Sequence, residues 1–261
     1  MRTRTLLLFG LLLGLLLGNA PQALAQDAQE STAYNKELTY GVNFNSNAGL
    51  IGGASVRSLR VITDDWARFW MLEGVEVKHP KELRVGNPSS GGIYVQGKSN
   101  YLFVLRPTFG VQRMIFRKAP ESGVQVSAIA GAGPSVGLLL PYYIYYNYTE
   151  PNARPNATPD DIRAEQFDPN KHSDPIRIYD RAPLFQGISE VKPNVGAHVR
   201  GALNFEYGRY RDAVAGLEAG VLLEAYTNSL TILRDRSVAD SKLNNQMFSS
   251  VYLTLYIGHR N

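Results

Sequence analysis

Apolar and polar residues alternate along much of this chain. In the segment 38–46, the apolar residues occupy every second position: Leu38, Tyr40, Val42 and Phe44. The residues between them are small or polar. A period of two places successive side chains on opposite faces of a β-strand. The segment therefore predicts a strand with one apolar and one polar face.

Seven further segments have strand-like patterns. They are residues 48–62, 65–79, 100–117, 123–148, 194–208, 213–227 and 247–259. Most exceed the ~9–11 residues that a tilted strand needs to cross the hydrocarbon core, whereas strands of soluble sheets usually have about 5–6 residues. The lengths predict an all-β fold, a transmembrane antiparallel up-and-down β-barrel of about eight strands. An ordinary β-sandwich with an exposed edge is the alternative.

The clearest alternation lies in the last three segments, where the apolar side should face lipid. That side comprises Val195, Val199, Leu203, Phe205, Leu217, Val221, Leu223, Val251 and Leu255. Tyrosines at the end of the segment 123–148 should form part of an aromatic girdle at the membrane surface.

Charged residues on the polar side should meet inside the barrel as a lumenal charge network. Its predicted members are Glu76, Lys78, Arg106, His198, Arg200, Glu206, Glu218 and Glu224. Side chains just fill the interior of an eight-stranded barrel, so we expect opposite charges to pair there. A polar conduit and a catalytic cluster are the alternatives.

The alternation stops between residues 149 and 192, a stretch rich in proline and mixed charge. Outer-membrane barrels have short periplasmic turns and longer extracellular loops, so we expect a long outer loop here. The loop also holds a cluster of apolar residues, which could contact a partner or fold over the barrel mouth: Ile176, Ile178, Tyr179, Leu184, Phe185 and Ile188.

The N-terminal segment has the three parts of a signal peptide. Arg2 and Arg4 precede an apolar run over residues 6–17, and small residues at Ala23 and Ala25 suit a signal peptidase. We expect residues 1–25 to be removed, residues 26–37 to form an N-terminal periplasmic segment and residues 38–261 to form the barrel with its outer loop 149–192.

Composition excludes several classes of protein. The formal net charge is +4, but Lys and Arg are interspersed with Asp and Glu rather than gathered into runs, which argues against nucleic-acid binding. The chain has no cysteine, so disulfides and thiolate metal sites are excluded. We expect no cofactor and no bound metal.

Enzyme chemistry has weak support in the sequence. His198 lies on a polar strand face, and Ser127 and Ser135 are conceivable nucleophiles, but no spacing ties a serine to a histidine and no nucleophile-elbow motif occurs. Acidic residues of the outer loop could offer oxygen ligands to Ca²⁺, but the glycine and the bidentate glutamate of an EF-hand loop are missing. The sequence therefore favours a non-enzyme.

Several irregular segments resemble a poorly characterised family of Bacteroidota outer-membrane β-barrel proteins. They are Lys78-His79-Pro80-Lys81-Glu82, Asn87-Pro88, Tyr94-Val95-Gln96-Gly97-Lys98, Leu105-Arg106-Pro107-Thr108-Phe109-Gly110, Gly133-Pro134-Ser135-Val136-Gly137-Leu138 and Pro141-Tyr142-Tyr143. The resemblance covers about residues 38–148. It implies a barrel that takes part in a larger outer-membrane complex, and it implies no catalytic residue.

The function that these features favour is that of an accessory or structural subunit of an outer-membrane complex for barrel assembly, export or uptake. Its expected partners are outer-membrane lipid and other outer-membrane proteins. A lipid-modifying barrel enzyme and a small-solute channel are the alternatives.

Overall fold

The structure is a computed structural model that describes residues 35–48, 52–117, 123–149, 161–207 and 213–260. The predicted signal peptide, most of the predicted periplasmic segment and residues 150–160 of the predicted outer loop lie outside these ranges. No helix in the described part of the chain is long and apolar enough to cross a membrane.

Most of the described chain is β-structure. In chain order the strands are β1 (Lys36–Asn45), β2 (Gly53–Val61), β3 (Trp66–Val77), β4 (Arg84–Gly86), β5 (Ile93–Val95), β6 (Asn100–Phe116), β7 (Val124–Pro141), β8 (Tyr143–Asn147), β9 (Ile162–Gln166), β10 (Ile178–Arg181), β11 (Lys192–Tyr207), β12 (Ala213–Tyr226) and β13 (Met247–Arg260). A short helix, α1, covers Asp240–Leu243.

Eight of these strands close into an antiparallel barrel in the order β1-β13-β12-β11-β7-β6-β3-β2. Closure pairs β1 with β13, from Glu37 opposite Arg260 to Asn45 opposite Tyr252. The predicted fold class is confirmed, and each barrel strand falls within a few residues of a predicted segment. β1 begins at Lys36, inside the stretch 26–37 that was expected to precede the barrel.

One predicted strand is two separate elements. The segment 123–148 divides at Tyr142 into the barrel strand β7 and the short strand β8, which joins a sheet outside the barrel in the order β10-β8-β9. Tyr142 and Tyr146 are buried in the packing around that sheet. The predicted aromatic girdle is therefore wrong for these two tyrosines, because the chain leaves the barrel wall before reaching them.

The connections between barrel strands differ in length at the two ends. One end, here called the turn end, has the short connections 62–65, 117–123 and 208–212. The other end, the loop end, has the connections 46–52, 78–99, 142–191 and 227–246. Since long loops of outer-membrane barrels are extracellular, this asymmetry agrees with the expected outward orientation of residues 149–192.

The predicted lipid-facing side is on the barrel exterior. Seven of its residues are exposed large apolar side chains: Val195, Val199, Leu203, Val221, Leu223, Val251 and Leu255. Phe205 and Leu217 are half-buried on the same strand faces. In water such a surface would be strongly unfavourable, whereas in a bilayer it faces hydrocarbon.

The barrel interior is filled in layers. Near the loop end, inward side chains including Val75, Leu102 and Leu139 form an apolar cluster with Leu230 and Ile232 of the β12–β13 connection. A second apolar cluster nearer the turn end contains Leu59, Ala67, Phe69, Met71 and Ile129. Charged and polar residues occupy the space between these clusters.

The barrel mouth is closed by the β12–β13 connection. The carbonyl oxygen of Ile232 accepts hydrogen bonds from the backbone N–H groups of Ser99 (2.9 Å) and Asn100 (3.2 Å). The Asn244 side-chain oxygen accepts from the N–H groups of Ile232 (2.8 Å) and Leu233 (3.0 Å). Residues 229–234 therefore close the barrel mouth, and we call them the plug. The sequence analysis had instead suggested that the apolar cluster of the long outer loop could fold over the mouth.

The long outer loop is folded rather than irregular in its described part. It contributes β9 and β10, which flank β8, while β4 and β5 form a hairpin beside β10. These elements enclose an apolar core whose members are Tyr94, Tyr142, Ile144, Tyr146, Phe167 and Ile178. We call β4, β5, β8, β9, β10 and their connecting residues the cap.

Candidate functional site

A layer of buried charged and polar side chains fills the middle of the lumen, and all eight barrel strands contribute to it. Six predicted members of the lumenal charge network are buried there: Arg106, His198, Arg200, Glu206, Glu218 and Glu224. The structure adds residues that the sequence analysis missed: Glu37, Asn43, Arg57, Glu73, Thr108, Ser135, Asn204, Tyr252, Thr254, Tyr256 and Arg260.

Glu73 and Glu224 share Arg106 at the centre of the network. Arg106 donates from Nε and Nη2 to the two oxygens of Glu224, both at 2.9 Å, and from Nη1 to Glu73 at 3.2 Å. Arg200 donates to the same Glu73 oxygen at 2.7 Å, and Asn43 donates to its other oxygen at 2.9 Å. Each buried carboxylate therefore has charged and neutral donors, which buried charges require.

Glu218 connects the centre of the network to Arg57. Arg57 donates to one Glu218 oxygen at 2.8 Å, and the hydroxyl of Tyr252 donates to the other at 2.7 Å. The guanidinium groups also lie against aromatic rings, with Arg200 at 5.0 Å from the Tyr252 ring centroid and Arg57 at 5.1 Å from that of Tyr256. Such contacts stabilise a cation where water is excluded.

A further cluster lies nearer the turn end. Arg260 donates to Glu37 at 3.0 Å and makes a two-point contact with Glu206, its Nη1 atom lying 2.8 Å from Oε1. All three residues are buried. This cluster ties β1, β11 and β13 together beside the seam at which the barrel closes.

Glu76 and Lys78 do not belong to the lumenal network. On β3 and just after it, the buried side chains are at odd positions from Ala67 to Val77, so Glu76 and Lys78 have the opposite parity. They are half-buried and pair with each other at 3.6 Å. The alternation was misread because β3 is apolar on both faces: its inward side lines the two apolar layers of the lumen.

Ser135, His198 and Glu224 form a compact cluster inside the network. Ser135 Oγ lies 3.0 Å from His198 Nδ1 and donates to Glu224 at 2.5 Å, while His198 Nε2 lies 2.9 Å from Thr108 Oγ1. No sequence spacing indicated this proximity. The β7–β11 register creates it by placing His198 opposite Gly133, two residues from Ser135 on the same face.

This cluster has the residue types of a catalytic triad but not its connections. In a triad the acid orients the histidine, and the histidine removes the proton of the serine. Here the carboxylate accepts from the serine hydroxyl, and the second nitrogen of the histidine contacts a threonine. Ser135 is 0 % exposed and the other two side chains are also buried, so no lipid or water-borne substrate reaches them. The Ser135–His198–Glu224 cluster is therefore part of the packed, hydrogen-bonded interior of the barrel.

The cap carries the predicted partner contacts, and the structure divides them. Ile178 is buried in the cap core, and Leu184 is half-buried. Four side chains remain exposed, to 66 % for Ile176, 65 % for Phe185, 60 % for Ile188 and 36 % for Tyr179. Most of the predicted contact residues are therefore presented to the surroundings.

The exposed apolar residues stand on an ordered support. Asn87 Nδ2 donates to the carbonyl oxygens of Ile176 and Ile178, both at 2.7 Å, which fixes the β4–β5 hairpin against β10. Gly187, between Phe185 and Ile188, lies against Pro141 and the ring of Tyr143, so that a Cβ there would be 2.9 Å from the Tyr143 ring. Ordered backbone thus supports these apolar side chains at the surface of the cap.

Two buried basic side chains, those of His172 and Lys98, make packing and hydrogen-bond contacts at the loop end. Burial lowers the pKa of His172, which packs against the rings of Tyr146 and Phe167 and accepts from the Asp168 N–H at 3.0 Å. Burial also lowers the pKa of Lys98, although Glu82 accepts from its Nζ atom at 2.9 Å. Within the described ranges, no group of three or more His, Asp or Glu residues is arranged to hold a metal ion.

Comparisons with known proteins give structure matches of low sequence identity and low TM-score. No protein-family model matches the sequence, and no curated protein matches it. The crystal structure of Ail, the attachment invasion locus protein of Yersinia pestis, has 10% identity and a TM-score of 0.37 over 87% of this chain and 99% of that chain. Neisserial surface protein A has 8% identity and a TM-score of 0.38 over 87% and 97%.

The location of the protein follows from its own surfaces. The closed barrel leaves no unpaired strand edge, its exterior carries a band of large apolar side chains, and its interior is charged and hydrogen-bonded. Closed barrels satisfy every backbone hydrogen bond inside a bilayer, and this pattern of faces is that of outer-membrane barrels. The protein is an eight-stranded β-barrel of the bacterial outer membrane.

Proposed function

We propose that this protein is a non-enzymatic accessory subunit of an outer-membrane complex and that its cap binds another outer-membrane protein. The single observation that carries the proposal is the exposure of three large apolar side chains of the cap, Ile176, Phe185 and Ile188. Exposed apolar clusters on a folded surface are typical of protein contacts.

The filled lumen supports the same proposal. A channel needs a continuous water-filled path, whereas here an apolar plug, a charge network and a second apolar layer follow one another along the barrel. A lipid-modifying enzyme needs a nucleophile that its substrate can reach, and Ser135 is buried. Uptake, export and barrel assembly all use multi-protein outer-membrane complexes, and the cap surface is compatible with each.

The test is site-specific photo-crosslinking in cells. A photo-reactive amino acid replaces Phe185 or Ile176, and a matched control places it at Val238, an exposed apolar residue of the β12–β13 connection. We expect one defined crosslinked species from the two cap positions and none from the control. The triple variant Ile176→Ser, Phe185→Ser and Ile188→Ser should lose co-purification of that species after gentle detergent extraction, while the barrel remains folded. Recovery as a lone monomer without crosslinks at the cap would refute the proposal.

A further inference from the structure

Three cations lie side by side on the barrel exterior at the turn end. The strand register places Lys36 of β1 opposite Arg60 of β2, and Arg60 opposite Arg68 of β3. All three side chains are exposed and have outward parity, since Glu37, Leu59, Ala67 and Phe69 beside them are buried. Directly opposed residues have Cβ atoms about 4.5–5.5 Å apart, and like charges in such positions repel.

No protein group neutralises this row within the described part of the chain. None of the three cations has a carboxylate oxygen within 4.0 Å there, and the nearby Asp65 is paired with Arg117 at 2.9 Å. The row borders an open surface depression of about 430 Å³ that is lined by Asn35, Lys36, Arg60, Val61, Ile62 and Arg68. The arrangement thus offers space and uncompensated positive charge at one place.

The row lies at the level of lipid headgroups. Along β3, the outward positions between Arg68 and Glu76 are Trp70, Leu72 and Gly74. Eight residues span about 26 Å at ~3.3 Å per residue, or about 20 Å across a bilayer at the usual strand tilt, which is close to the ~25 Å apolar band of such barrels. Arg68 and Glu76 therefore mark the two edges of that band.

Apolar side chains, interrupted only by Ser58 in the two rows that follow, continue from the cations towards the middle of the membrane. The next outward row across the same strands is Leu38, Ser58 and Trp70, and the one after it is Tyr40, Val56 and Leu72. An acyl chain could lie along this surface while its headgroup contacts the cations. In the described part of the chain, β11 ends at Tyr207 and β12 begins at Ala213, so neither strand carries a cation at its outward turn-end position there.

We propose that Lys36, Arg60 and Arg68 bind the phosphate group of a glycerophospholipid in the leaflet at the turn end. Arginine can contact phosphate oxygens through two N–H groups at once, and lysine adds a mobile third charge. A bound phosphate would relieve the repulsion within the row, and the acyl chains would cover Trp70 and its neighbours. The site is independent of the cap and of its proposed partner.

The test uses the full chain, purified folded in a neutral detergent and titrated with phosphatidylglycerol while native mass spectrometry counts bound lipid. The variant replaces Lys36, Arg60 and Arg68 by Gln. A matched control replaces Lys81, Arg84 and Lys171 by Gln, which removes the same charge from exposed positions at the loop end. Each cation near a lipid surface contributes about fivefold in affinity, so we expect about 100-fold weaker binding in the variant and little change in the control.

Two further arms keep the outcome decisive. Inorganic phosphate alone should compete only weakly; if it displaces the lipid or binds as tightly, the site takes free phosphate and the lipid assignment fails. The single variant Arg60→Gln should show about fivefold weaker binding, and it serves if the triple variant does not fold, as judged by heat-modifiable electrophoretic mobility. Unchanged lipid binding in a folded variant would overturn the proposal.

Discussion

Arg106 and Glu224 face each other inside the barrel and meet through two parallel hydrogen bonds of 2.9 Å. They come from β6 and β12, which are not neighbours in the barrel order. The pair therefore crosses the lumen, and a change in either residue affects a contact between opposite walls. The same arginine also contacts Glu73, so its removal would leave two carboxylates short of a partner.

The first prediction concerns this pair. Arg106→Met should lower the free energy of unfolding by about 3–5 kcal/mol, because it leaves buried carboxylates without their cation. The double variant Arg106→Met with Glu224→Met should lose less than the single one. Urea titration of protein folded in lipid vesicles measures both. The control Lys78→Met breaks a half-exposed pair and should cost at most about 1 kcal/mol. Equal losses for the single and double variants would contradict the pairing.

The second prediction concerns the lipid-facing side. Val221 is an exposed apolar residue of β12, and Val221→Arg should destabilise the folded barrel by about 2–4 kcal/mol if it lies near the midplane. Val238→Arg, at an exposed position outside the barrel wall, should change stability by no more than about 0.5 kcal/mol. The same urea titration in vesicles compares the two. A barrel that tolerates arginine at position 221 but not Ala at Glu218 would have its faces reversed.

The third prediction is that the barrel does not conduct. Planar-bilayer recordings of the purified protein should show no stable large conductance. The variant Leu230→Ser with Ile232→Ser weakens the apolar plug, but the charge network beneath it still fills the lumen, so this variant should also fail to conduct. Stable, large channels in the parent protein would refute the filled lumen, and channels in the variant alone would show that the plug is the sole barrier.

The fourth prediction concerns acid and the cap. Burial lowers the pKa of His172 and outweighs the opposing effect of Glu165, whose carboxylate lies 3.5 Å away. The folded cap then binds fewer protons than the unfolded one at pH values between the lowered folded pKa of His172 and its unfolded pKa of about 6.5. Stability therefore rises with pH in that window and falls on acidification. Hydrogen–deuterium exchange in residues 161–181, corrected for intrinsic rates, should be faster at pH 5.5 than at pH 7.5.

The matched variant for this experiment is His172→Phe, which keeps a ring against Tyr146 and Phe167 but cannot titrate. Its cap should exchange with little dependence on pH. Burial also lowers the pKa of His79 at another place on the loop end, so residues 79–82 should keep their pH dependence in the variant. A cap whose acid response is unchanged by this substitution would show that another group controls it.

The barrel could be predicted from sequence because a membrane reverses the usual arrangement of faces. In β11, outward Val195, Val199 and Leu203 alternate with inward His198 and Arg200, so polarity alone reveals the parity. The same rule fails for β3, since Phe69, Met71 and Val75 face inward while Trp70 and Leu72 face outward. The sequence analysis missed Arg57 as a lumenal residue, although polarity does indicate the faces in this part of β2. Ser55 and Arg57 point inward there, while Ala54, Val56 and Ser58 point outward.

The cap and the Ser135–His198 contact could not be predicted because both depend on pairing across long stretches of chain. β9 and β10 have five and four residues, and neither has an alternating pattern; each is stabilised by pairing with β8. Ser135 and His198 are 63 positions apart. Only the register between β7 and β11 brings them together, and no local pattern encodes it. The resemblance to a Bacteroidota barrel family likewise remains a prediction.

The seam between β1 and β13 affects the order in which the protein can fold. Every other pair of neighbouring strands consists of barrel strands that are consecutive along the chain. The seam instead pairs the first barrel strand with the last, and its contact between Glu37 and Arg260 spans 223 positions. Closing so long a stretch of chain carries the largest loss of conformational entropy. We therefore expect the seam to form last, and both edges to be open to pairing with a foreign strand until then. The buried Arg260–Glu37 contact stabilises the closed seam, in which neither edge is exposed any longer.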